Sequence, residues 1–453
     1  MSILFFWSSC SILLENKPLP PTSDNLVSCI SSPLVEIFSI FISWSVKLVA
    51  SIIFSFTFCA YNNANLLPRD PIVIFFFIKK SFLTCIGIVQ LLKTICMNKK
   101  PLILGIETSC DETAASLVSE NERGIPIILS NIISSQEEVH KEFGGVVPEL
   151  AARSHLEKID WIVQKALDES GKKIEEIDAV AVTAGPGLVV CLSVGLSFGK
   201  TFANLIKKPF IAVNHLEGHA LSPKINSELD YPYLFLLISG GHSQFLNVKG
   251  LGNYKRLGTT IDDALGEAFD KTAKLLGIEF PGGPKIEDFA KKGNPERYQL
   301  PKPIINRGGC NLSFAGLKTA VLKISKKIKT EQDKFDLAAS FQKTIIEILY
   351  KKTKIAFLEF EKQNNLNKKN FVVAGGVAAN KKIRSMLVNL CTEKNYESIF
   401  PPIKLCGDNA AMIGMVGLEK FKLNQFNDLV YPAKPRWPLD EKANFLKGAG
   451  VKL

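Results

Sequence analysis

The stretch LILGIETSCDETAASLV (102–118) returns in altered form as YLFLLISGGHSQFLNV (233–248). Each version has two apolar runs joined by a short turn of small or polar residues, which predicts a pair of strands. Later in each half come a strand, a glycine-rich turn and a helix, at AVAVTAGPGLVVCLSVGLSFGK (179–200) and FVVAGGVAANKKIRSML (371–387). This repetition predicts an α/β protein with two similar lobes and partly parallel sheets.

Turns that face one another across two such lobes can hold a nucleotide. Backbone N–H groups at hairpin turns and helix N-termini point at phosphates, so glycine-rich turns at corresponding places predict a nucleotide cleft. A single Gly-Gly turn more often only reverses the chain, and GPG (185–187) is equally explained as a tight strand-to-helix connection. The second half is longer, with extra residues around 281–345 that include the basic run LKISKKIK (322–329).

Composition limits the class of protein without choosing the activity. A chain of 453 residues, 46% of them hydrophobic, can bury the core of two domains or lobes. The formal charge of +11 favours an anionic partner, although a basic excess is more often only a solvated surface. The ten cysteines form no CxxC pair, which favours a reducing compartment over a zinc ribbon or a dense disulfide framework.

The first 96 residues differ from the rest. Residues 37–60 carry one charge, Lys47, and are long enough to span a bilayer, but their flanks match neither a signal peptide nor a mitochondrial presequence. From Met97 the sequence MNKKPLILGIETS runs directly into a strand pattern. We therefore predict that 1–96 is an apolar extension outside the functional protein, with a membrane anchor as the alternative. The first lobe is predicted at 97–230 and the second at 231–453.

Two of only five histidines lie four residues apart in NHLEGHA (214–220). On a helix, His215 and His219 would share one face, which suits a divalent metal, the alternatives being surface or core histidines. The zinc-protease pattern HExxH does not fit, because Glu217 lies about 200° around the helix from His215. Asp408, in a Gly-Asp-Asn turn, offers the oxygen ligand. Two histidines and one carboxylate suit Fe²⁺, with Zn²⁺ as the alternative.

Residues 102 to about 440 resemble the bacterial tRNA N6-adenosine threonylcarbamoyltransferase family, formerly named sialoglycoprotein endopeptidases. The segments that carry the resemblance are LGIETSCDETA, GGVVPELAARSHL, TAGPGL, VNHLEGHA, LISGGHSQ, GEAFDKTAKLLG, PGGP, SFAGLKTAV, AGGVAAN, GDNAAMI and RWPLD. The resemblance implies a two-lobed actin/Hsp70-like ATPase fold of duplicated RNase H-like lobes, with a nucleotide and metal cleft between them. It also implies transfer of a threonylcarbamoyl group from threonylcarbamoyl-AMP to N6 of the adenosine beside the anticodon, in tRNAs that read codons beginning with A (t6A formation).

Carried over motif by motif, the resemblance assigns roles to residues of this chain. The metal ligands would be His215, His219 and Asp408. The substrate-binding residues would be Leu237, Ile238, Ser239, Gly240, Gly241, Asp270, Gly283 and Asn380. Asp111 and Glu112 would face the cleft, to position the metal or to activate the incoming amine. Many members have Asp where this chain has Glu287, and its longer side chain keeps it out of the set.

The implied partners are tRNA, threonylcarbamoyl-AMP or ATP/AMP, and small proteins that include a related inactive homologue and an ATPase. The implied location is cytoplasmic, without a membrane. Two alternatives belong to other classes: a metalloendopeptidase, which would lack a base beside its first histidine, and a non-catalytic ATP-binding scaffold, which would have no reason to retain a full ligand set. Candidate phosphate contacts, each with a solvated helix face as the alternative, are Lys323, Lys326, Lys327, Lys329, Lys381, Lys382 and Arg384.

Overall fold

The computed structural model divides the chain into two units, Met1–Lys99 and Lys100–Leu453. It describes residues 100–225 and 227–443, and these contain ten strands and ten α-helices. The predicted apolar extension and the candidate membrane segment at 37–60 lie outside the described residues. None of the helices within the described part of the chain has the length and apolar character needed to cross a membrane.

The first sheet has five strands in the order β3-β2-β1-β4-β5. Its strands are β1 (Ile103–Glu107), β2 (Glu112–Glu120), β3 (Pro126–Ser135), β4 (Ala179–Gly185) and β5 (Phe210–Asn214). The β2 strand pairs antiparallel with β1 and β3, whereas β4 pairs parallel with β1 and β5. The helices in this part of the chain are α1 (Glu137–Lys141), α2 (Pro148–Ser170), α3 (Val189–Leu205) and α4 (His215–Leu221).

The central strand β1 is covered on both faces. Leu104 and Ile106 pack with residues of α2 and α3, whereas Ile103 packs with residues of α10 (Ala410–Lys422). A strand buried on both sides needs a continuous apolar run rather than an alternating one, which explains the pattern ILGI. Gly105 interrupts the run because α10 passes too close for a side chain: a Cβ there would lie 2.4 Å from the carbonyl oxygen of Ala410.

The second sheet repeats this plan, with five strands in the order β10-β9-β6-β7-β8. Its strands are β6 (Tyr233–Ile238), β7 (Ser243–Gly250), β8 (Asn253–Thr259), β9 (Asn370–Ala374) and β10 (Glu397–Ile399). The β7 strand pairs antiparallel with β6 and β8, whereas β9 pairs parallel with β6 and β10. Strand order and direction match the first sheet strand for strand. The predicted duplicated, RNase H-like, actin/Hsp70-like fold is confirmed.

Five helices belong to the second sheet. Four lie between β8 and β9 in the chain, and the fifth connects β9 with β10. They are α5 (Leu265–Leu275), α6 (Gly282–Ala290), α7 (Ala315–Ser325), α8 (Glu331–Glu361) and α9 (Lys381–Glu393). Residues of all five pack with one face of β6 and β9 in the largest apolar cluster. The region 281–345, predicted as an insertion, supplies α6, α7 and the first half of α8 to this layer. The extra residues therefore thicken the helical side of the second sheet.

The α10 helix does not pack on the sheet that it follows in the chain. The α10 helix follows the second sheet in sequence, within the predicted lobe 231–453, but it packs on β1, β2 and β4 of the first sheet. Small residues permit this approach: a Cβ at Gly417 would lie 2.5 Å from the Cβ of Ala181. The short α4 helix lies nearby, and its Leu216 and Ala220 pack into the other face of the second sheet. These two helices meet where the two sheets adjoin.

Candidate metal centre and nucleotide cleft

A short buried helix carries both histidines of the NHLEGHA motif. The α4 helix begins directly after β5, and the side chain of Asn214 caps it by accepting the N–H of Leu216 at 2.9 Å. The imidazole rings of His215 and His219 meet edge to face, with centroids 4.9 Å apart. The helix and the shared face predicted from the spacing of the two histidines are confirmed.

The turn before α10 brings a carboxylate to these rings. The Oδ1 atom of Asp408 lies 3.4 Å from Nε2 of His215 and 3.2 Å from Nε2 of His219. Asn409 fixes the turn by capping α10, because its side chain accepts the N–H of Met412 at 3.1 Å. One ligand atom from each of His215, His219 and Asp408 lies within 4.8 Å of the other two. The structure therefore brings together the three predicted ligands.

The spacing and chemistry of these atoms fit a divalent metal. Two ligand atoms about 2.1 Å from one ion, at angles of about 90 to 110°, are roughly 3.0 to 3.4 Å apart. The two distances between Asp408 Oδ1 and the histidine Nε2 atoms, 3.2 and 3.4 Å, fall in this range. Two imidazole nitrogens and one carboxylate oxygen form the donor set used by Fe²⁺ and, with an open position, by Zn²⁺.

The electrostatics of the ligands agree with a cation site. Burial acts to raise the pKa of the Asp408 carboxyl, but the charge of His215 and the hydrogen bonds from both histidines outweigh it and hold that pKa well below its ordinary value. Burial acts to lower the pKa of His215, but the charges of Asp408 and Glu107 outweigh it and raise that pKa well above its ordinary value. Two carboxylates beside one imidazole thus form an environment that favours a cation.

Glu107 is a residue of this centre that the sequence analysis missed. It ends β1, and its Oε2 atom accepts a hydrogen bond from Nδ1 of His215 at 3.0 Å. Its two carboxylate oxygens also accept the N–H of Ser109 at 2.5 Å and the hydroxyl of Thr183 at 2.6 Å. A proton held on Nδ1 leaves the lone pair of Nε2 directed at the ligand cluster. The available signal was a lone carboxylate at the end of a fully buried apolar strand.

Asp111, in the turn after β1, and Glu112, the first residue of β2, lie beside the same centre. Burial, followed by the negative charges of Asp408 and Asp111, raises the pKa of Glu112 well above its ordinary value, so these carboxylates are near neighbours. A hydrogen bond fixes the backbone of the turn, since the carbonyl oxygen of Asp111 accepts the N–H of Gln136 at 3.1 Å. His155 supports the turn as well, with Nε2 3.1 Å from the carbonyl oxygen of Cys110.

The residues at 237–241 divide into two groups. Leu237 and Ile238 lie in β6 and are fully buried, so their side chains belong to the core. Gly240 and Gly241 are exposed in the turn before β7, and a Cβ at either would meet no atom within 4 Å. His242 closes the turn, because its carbonyl oxygen accepts the N–H of Ser239 at 2.8 Å. The backbone at Gly240 and Gly241 is thus the most exposed part of this segment.

This turn lies close to the metal centre. Burial, followed by the positive charges of His215 and His219, lowers the pKa of His242 to about 4. His242 is therefore neutral at physiological pH. A neutral imidazole can donate or accept a hydrogen bond here without adding a charge to the centre.

Asp270 and Gly283 meet at the N-terminus of α6. One oxygen of Asp270 accepts the N–H of Gly282 at 2.8 Å. A Cβ at Gly283 would meet no atom within 4 Å, so this part of the helix is open to a close approach. Burial chiefly raises the pKa of the Asp270 carboxyl, and the negative charge of Asp111 adds to that effect. The turn after β1 in the first sheet therefore lies near the start of α6. The Asp270 carboxylate accepts the backbone N–H groups of both Gly282 and Gly283.

Asn380 lies at the start of the neighbouring helix. Its side-chain oxygen caps α9 by accepting the N–H groups of Lys382 and Ile383 at 3.1 and 3.0 Å. Glu287 of α6 reaches the same place, where its Oε1 atom accepts the N–H of Lys381 at 2.9 Å. Glu287 therefore lies beside two predicted nucleotide-binding residues, Gly283 and Asn380, and holds the two helices together.

Glu217 lies on the side of α4 away from the ligands. Its carboxylate is hydrogen-bonded to the hydroxyl of Tyr254 at 2.8 Å and paired with Lys420 at 3.1 Å. It cannot act as the base that the HExxH pattern requires next to its metal. The geometry thus agrees with the spacing argument against the peptidase hypothesis.

The model of the tRNA N6-adenosine threonylcarbamoyltransferase (TsaD) family matches residues 127–415. A relative of that name from Pelagibacter ubique (strain HTCC1062) is 78% identical over 357 residues, which span 79% of this chain and 100% of the relative. The chain belongs to the tRNA N6-adenosine threonylcarbamoyltransferase family. The threonylcarbamoyltransferase of Rickettsia rickettsii (strain Sheila Smith) is 52% identical over 345 residues, 76% of this chain and 99% of the relative.

Solved structures resemble this chain more distantly. Full-length HypF in a phosphate- and nucleotide-bound form is 14% identical with a TM-score of 0.46, covering 73% of this chain and 48% of HypF. Component A of the Acidaminococcus fermentans (R)-2-hydroxyglutaryl-CoA dehydratase is 16% identical with a TM-score of 0.40, covering 71% of this chain and 98% of that protein.

Proposed function

We propose that this protein transfers a threonylcarbamoyl group from threonylcarbamoyl-AMP to N6 of the adenosine beside the anticodon, in tRNAs that read codons beginning with A. The observation that carries the proposal is the convergence of His215, His219 and Asp408, whose ligand atoms lie within 4.8 Å of one another. Membership of the threonylcarbamoyltransferase family supports the substrate class, and the full ligand set supports an active enzyme over a non-catalytic scaffold of the same fold.

The three ligands would hold one divalent ion, for which we favour Fe²⁺ over Zn²⁺. An ion bound there supplies Lewis acidity that polarises the acyl or phosphate oxygens of the donor. Glu107 would keep the Nδ1 proton of His215 in place. Its contact supports this role because a carboxylate partner on the remote nitrogen orients a ligating histidine.

The donor would lie against the second sheet. Backbone N–H groups of Gly240 and Gly241, in an exposed turn without side chains, would contact its phosphate or acyl oxygens. The Asp270 carboxylate, which backbone N–H groups at the start of α6 orient, and the open space beside Gly283 would accommodate the ribose. The side-chain oxygen of Asn380 caps α9, and its NH₂ group donates to none of the residues that the structure describes, which supports a contact to the nucleotide.

The transfer needs orientation more than covalent catalysis. The N6 amine attacks the carbamoyl carbon of the mixed anhydride, the bond from that carbon to the phosphate oxygen breaks, and AMP leaves with the electron pair. The amine proton passes to a nearby base, and no covalent enzyme intermediate is required. Asp111 and Glu112 are the candidates for receiving the proton or placing the amine, because they lie close to Asp408, at the turn before β2 and at the start of that strand.

The tRNA would be held by its phosphates on a lysine-rich surface. Lys323, Lys326, Lys327 and Lys329, at the end of α7, are all exposed, as are Lys381 and Lys382. Arg384 is less suited, because its Nε donates to the carbonyl oxygen of Ala378 at 3.2 Å and its guanidinium stacks on Phe400. Contacts of lysine to phosphate predict salt-dependent binding with little sequence discrimination.

We also propose that the protein works in the cytoplasm with small partner proteins, a related inactive homologue and an ATPase. The resemblance described above supports the partners. The tRNA substrate supports the compartment, as do the free thiols of Cys110, Cys191, Cys310, Cys391 and Cys406 in the described range.

The test is the nucleoside profile of tRNA incubated with threonylcarbamoyl-AMP, the partner proteins and either wild-type protein or Asp408→Ala. We expect wild-type protein to form t6A and Asp408→Ala to bind tRNA normally without modifying it. Asp428→Ala, which changes an exposed aspartate outside the cleft, is the matched control and should retain activity. Modification of tRNA by Asp408→Ala at the wild-type rate would refute the proposed mechanism.

A further inference from the structure

The helix that carries the two histidines depends on tertiary contacts for its position. The α4 helix has 7 residues, all buried, and helices shorter than about 12 residues are not stable alone. Its Leu216 and Ala220 pack against the second sheet, whereas a Cβ on Gly218 would lie 3.0 Å from Met412 of α10. Whatever fixes α4 between these surfaces also fixes His215 and His219.

One carboxylate of α4, that of Glu217, makes polar contacts to both surfaces. The side chain of Glu217 is 4% exposed. Its Oε1 atom accepts the hydroxyl of Tyr254 at 2.8 Å and the N–H of Gly252 at 3.0 Å, both from the β7–β8 hairpin. Its Oε2 atom lies 3.1 Å from Nζ of Lys420 on α10, and the same ammonium donates to the carbonyl oxygen of Ala212 in β5 at 3.1 Å.

These contacts join the two segments that supply the metal ligands. Glu217 lies between the histidines on α4, and Lys420 lies on the helix that follows Asp408 directly. The two histidines also differ in their own support. Nδ1 of His215 is held by Glu107, whereas Nδ1 of His219 is buried with no hydrogen-bond partner among the residues the structure describes. The orientation of His219 therefore depends on where α4 is held.

We propose that Glu217 is a positioning residue of the metal centre. By tying α4 to the β7–β8 hairpin through Tyr254 and to α10 through Lys420, it sets the separation between the histidine pair and Asp408. It acts from the opposite side of the helix and touches neither metal nor substrate. This inference rests on the proposed function only in requiring that the three ligands bind a metal.

The test uses Co²⁺ as a probe, because its visible absorption reports the geometry of its ligands. The variants are Glu217→Gln, which places an amide against Lys420 or Tyr254, and Tyr254→Phe, which removes one donor and leaves the ion pair. Tyr396→Phe is the matched control, since the hydroxyl of Tyr396 donates to a backbone carbonyl in the core of the helical layer at 3.4 Å. We expect Glu217→Gln to bind Co²⁺ at least about tenfold more weakly, and Tyr254→Phe several-fold more weakly, each with an altered spectrum.

Tyr254→Phe decides the question if Glu217→Gln does not fold. Wild-type affinity and an unchanged Co²⁺ spectrum in Tyr254→Phe and in any folded Glu217→Gln would overturn the inference and leave the proposed function intact. Equal effects in Tyr396→Phe would overturn it too, because they would show a general loss of packing. A wild-type protein that binds no Co²⁺ would instead overturn the proposed metal centre itself, and this inference with it.

Discussion

Replacing Glu107 by Gln tests whether this carboxylate prepares His215 for a metal. The two Glu107 oxygens accept three donors: the N–H of Ser109, the hydroxyl of Thr183 and Nδ1–H of His215. A glutamine has one acceptor oxygen, so its NH₂ group must face one of these donors. If the NH₂ group faces His215, the imidazole changes tautomer. Its Nδ1 atom then accepts a hydrogen bond from the amide, and its proton lies on Nε2, directed toward Asp408.

The size of the effect follows from that change. Loss of a partner that orients a ligating group usually weakens metal binding by about 10- to 100-fold, or about 1.4 to 2.8 kcal/mol. We expect a value near the upper end, because the favoured tautomer removes the lone pair of Nε2 rather than only reducing its basicity. The fold should survive, since the substitution preserves volume and a buried unpaired donor costs about 1 to 3 kcal/mol.

Isothermal titration of metal-free protein with Fe²⁺ or Zn²⁺ measures the affinity, and circular dichroism checks the fold. Glu120→Gln is the control, because Glu120 lies at the opposite end of β2 from Glu112, and its side chain pairs with Lys422. That variant should bind metal as the wild type does. A Glu107→Gln protein with the wild-type dissociation constant would show that the contact between Glu107 and His215 has no part in metal binding.

The other predictions concern the ligands, the tRNA surface and the packing of α10. Purified without chelator, wild-type protein should carry about one metal ion per chain by elemental analysis. The His215→Ala, His219→Ala double variant should carry none, because only one of the three ligands remains. Metal retained by the double variant would refute the ligand assignment. Charge reversal of Lys323, Lys326, Lys327 and Lys329 should lower the salt dependence of tRNA binding, by about one unit of slope per lost phosphate contact, in a filter-binding titration. Nucleotide binding should stay unchanged, and an unaltered slope would identify these lysines as solvated surface. Gly105→Ala should lower the free energy of unfolding by about 1 to 3 kcal/mol in urea, because its Cβ would lie 2.4 and 2.6 Å from backbone atoms of α10. Gly250→Ala, which meets no neighbour within 4 Å, should cost much less, and equal costs would contradict the packing argument.

Local patterns in the sequence predicted the features that depend on local spacing. The strand pairs, the repeat and the shared face of His215 and His219 follow from periodicities of two and about 3.6 residues. The involvement of Asp408 was inferred from its turn, since no spacing rule connects it to α4. Contacts between distant segments could not be found in this way. Glu107 meets His215 only because β1 and β5 flank β4 in the sheet, and no part of the sequence near either residue indicates that neighbourhood.

The helical positions of the proposed nucleotide site show the same limit. The motifs pointed to Asp270 and Asn380, but not to the backbone groups that already occupy part of each side chain. Nor did chain order indicate that α10, which follows the second sheet, would pack on the first. That outcome depends on Gly105, Gly414 and Gly417, whose lack of side chains matters only when the two surfaces meet.

The separation of the proposed metal ligands along the chain has a consequence for biosynthesis. His219 and Asp408 are 189 residues apart in sequence, and the whole second sheet is synthesised between them. During translation, the histidine pair leaves the ribosome long before its carboxylate partner, so a metal captured early would lack its third ligand. The contact between His219 and Asp408 closes a long loop of the chain. Such contacts form late in folding, because closing the loop costs conformational entropy before the contact stabilises the chain. We therefore expect stable metal binding only at the end of folding, after α10 has packed against the first sheet, which is synthesised first.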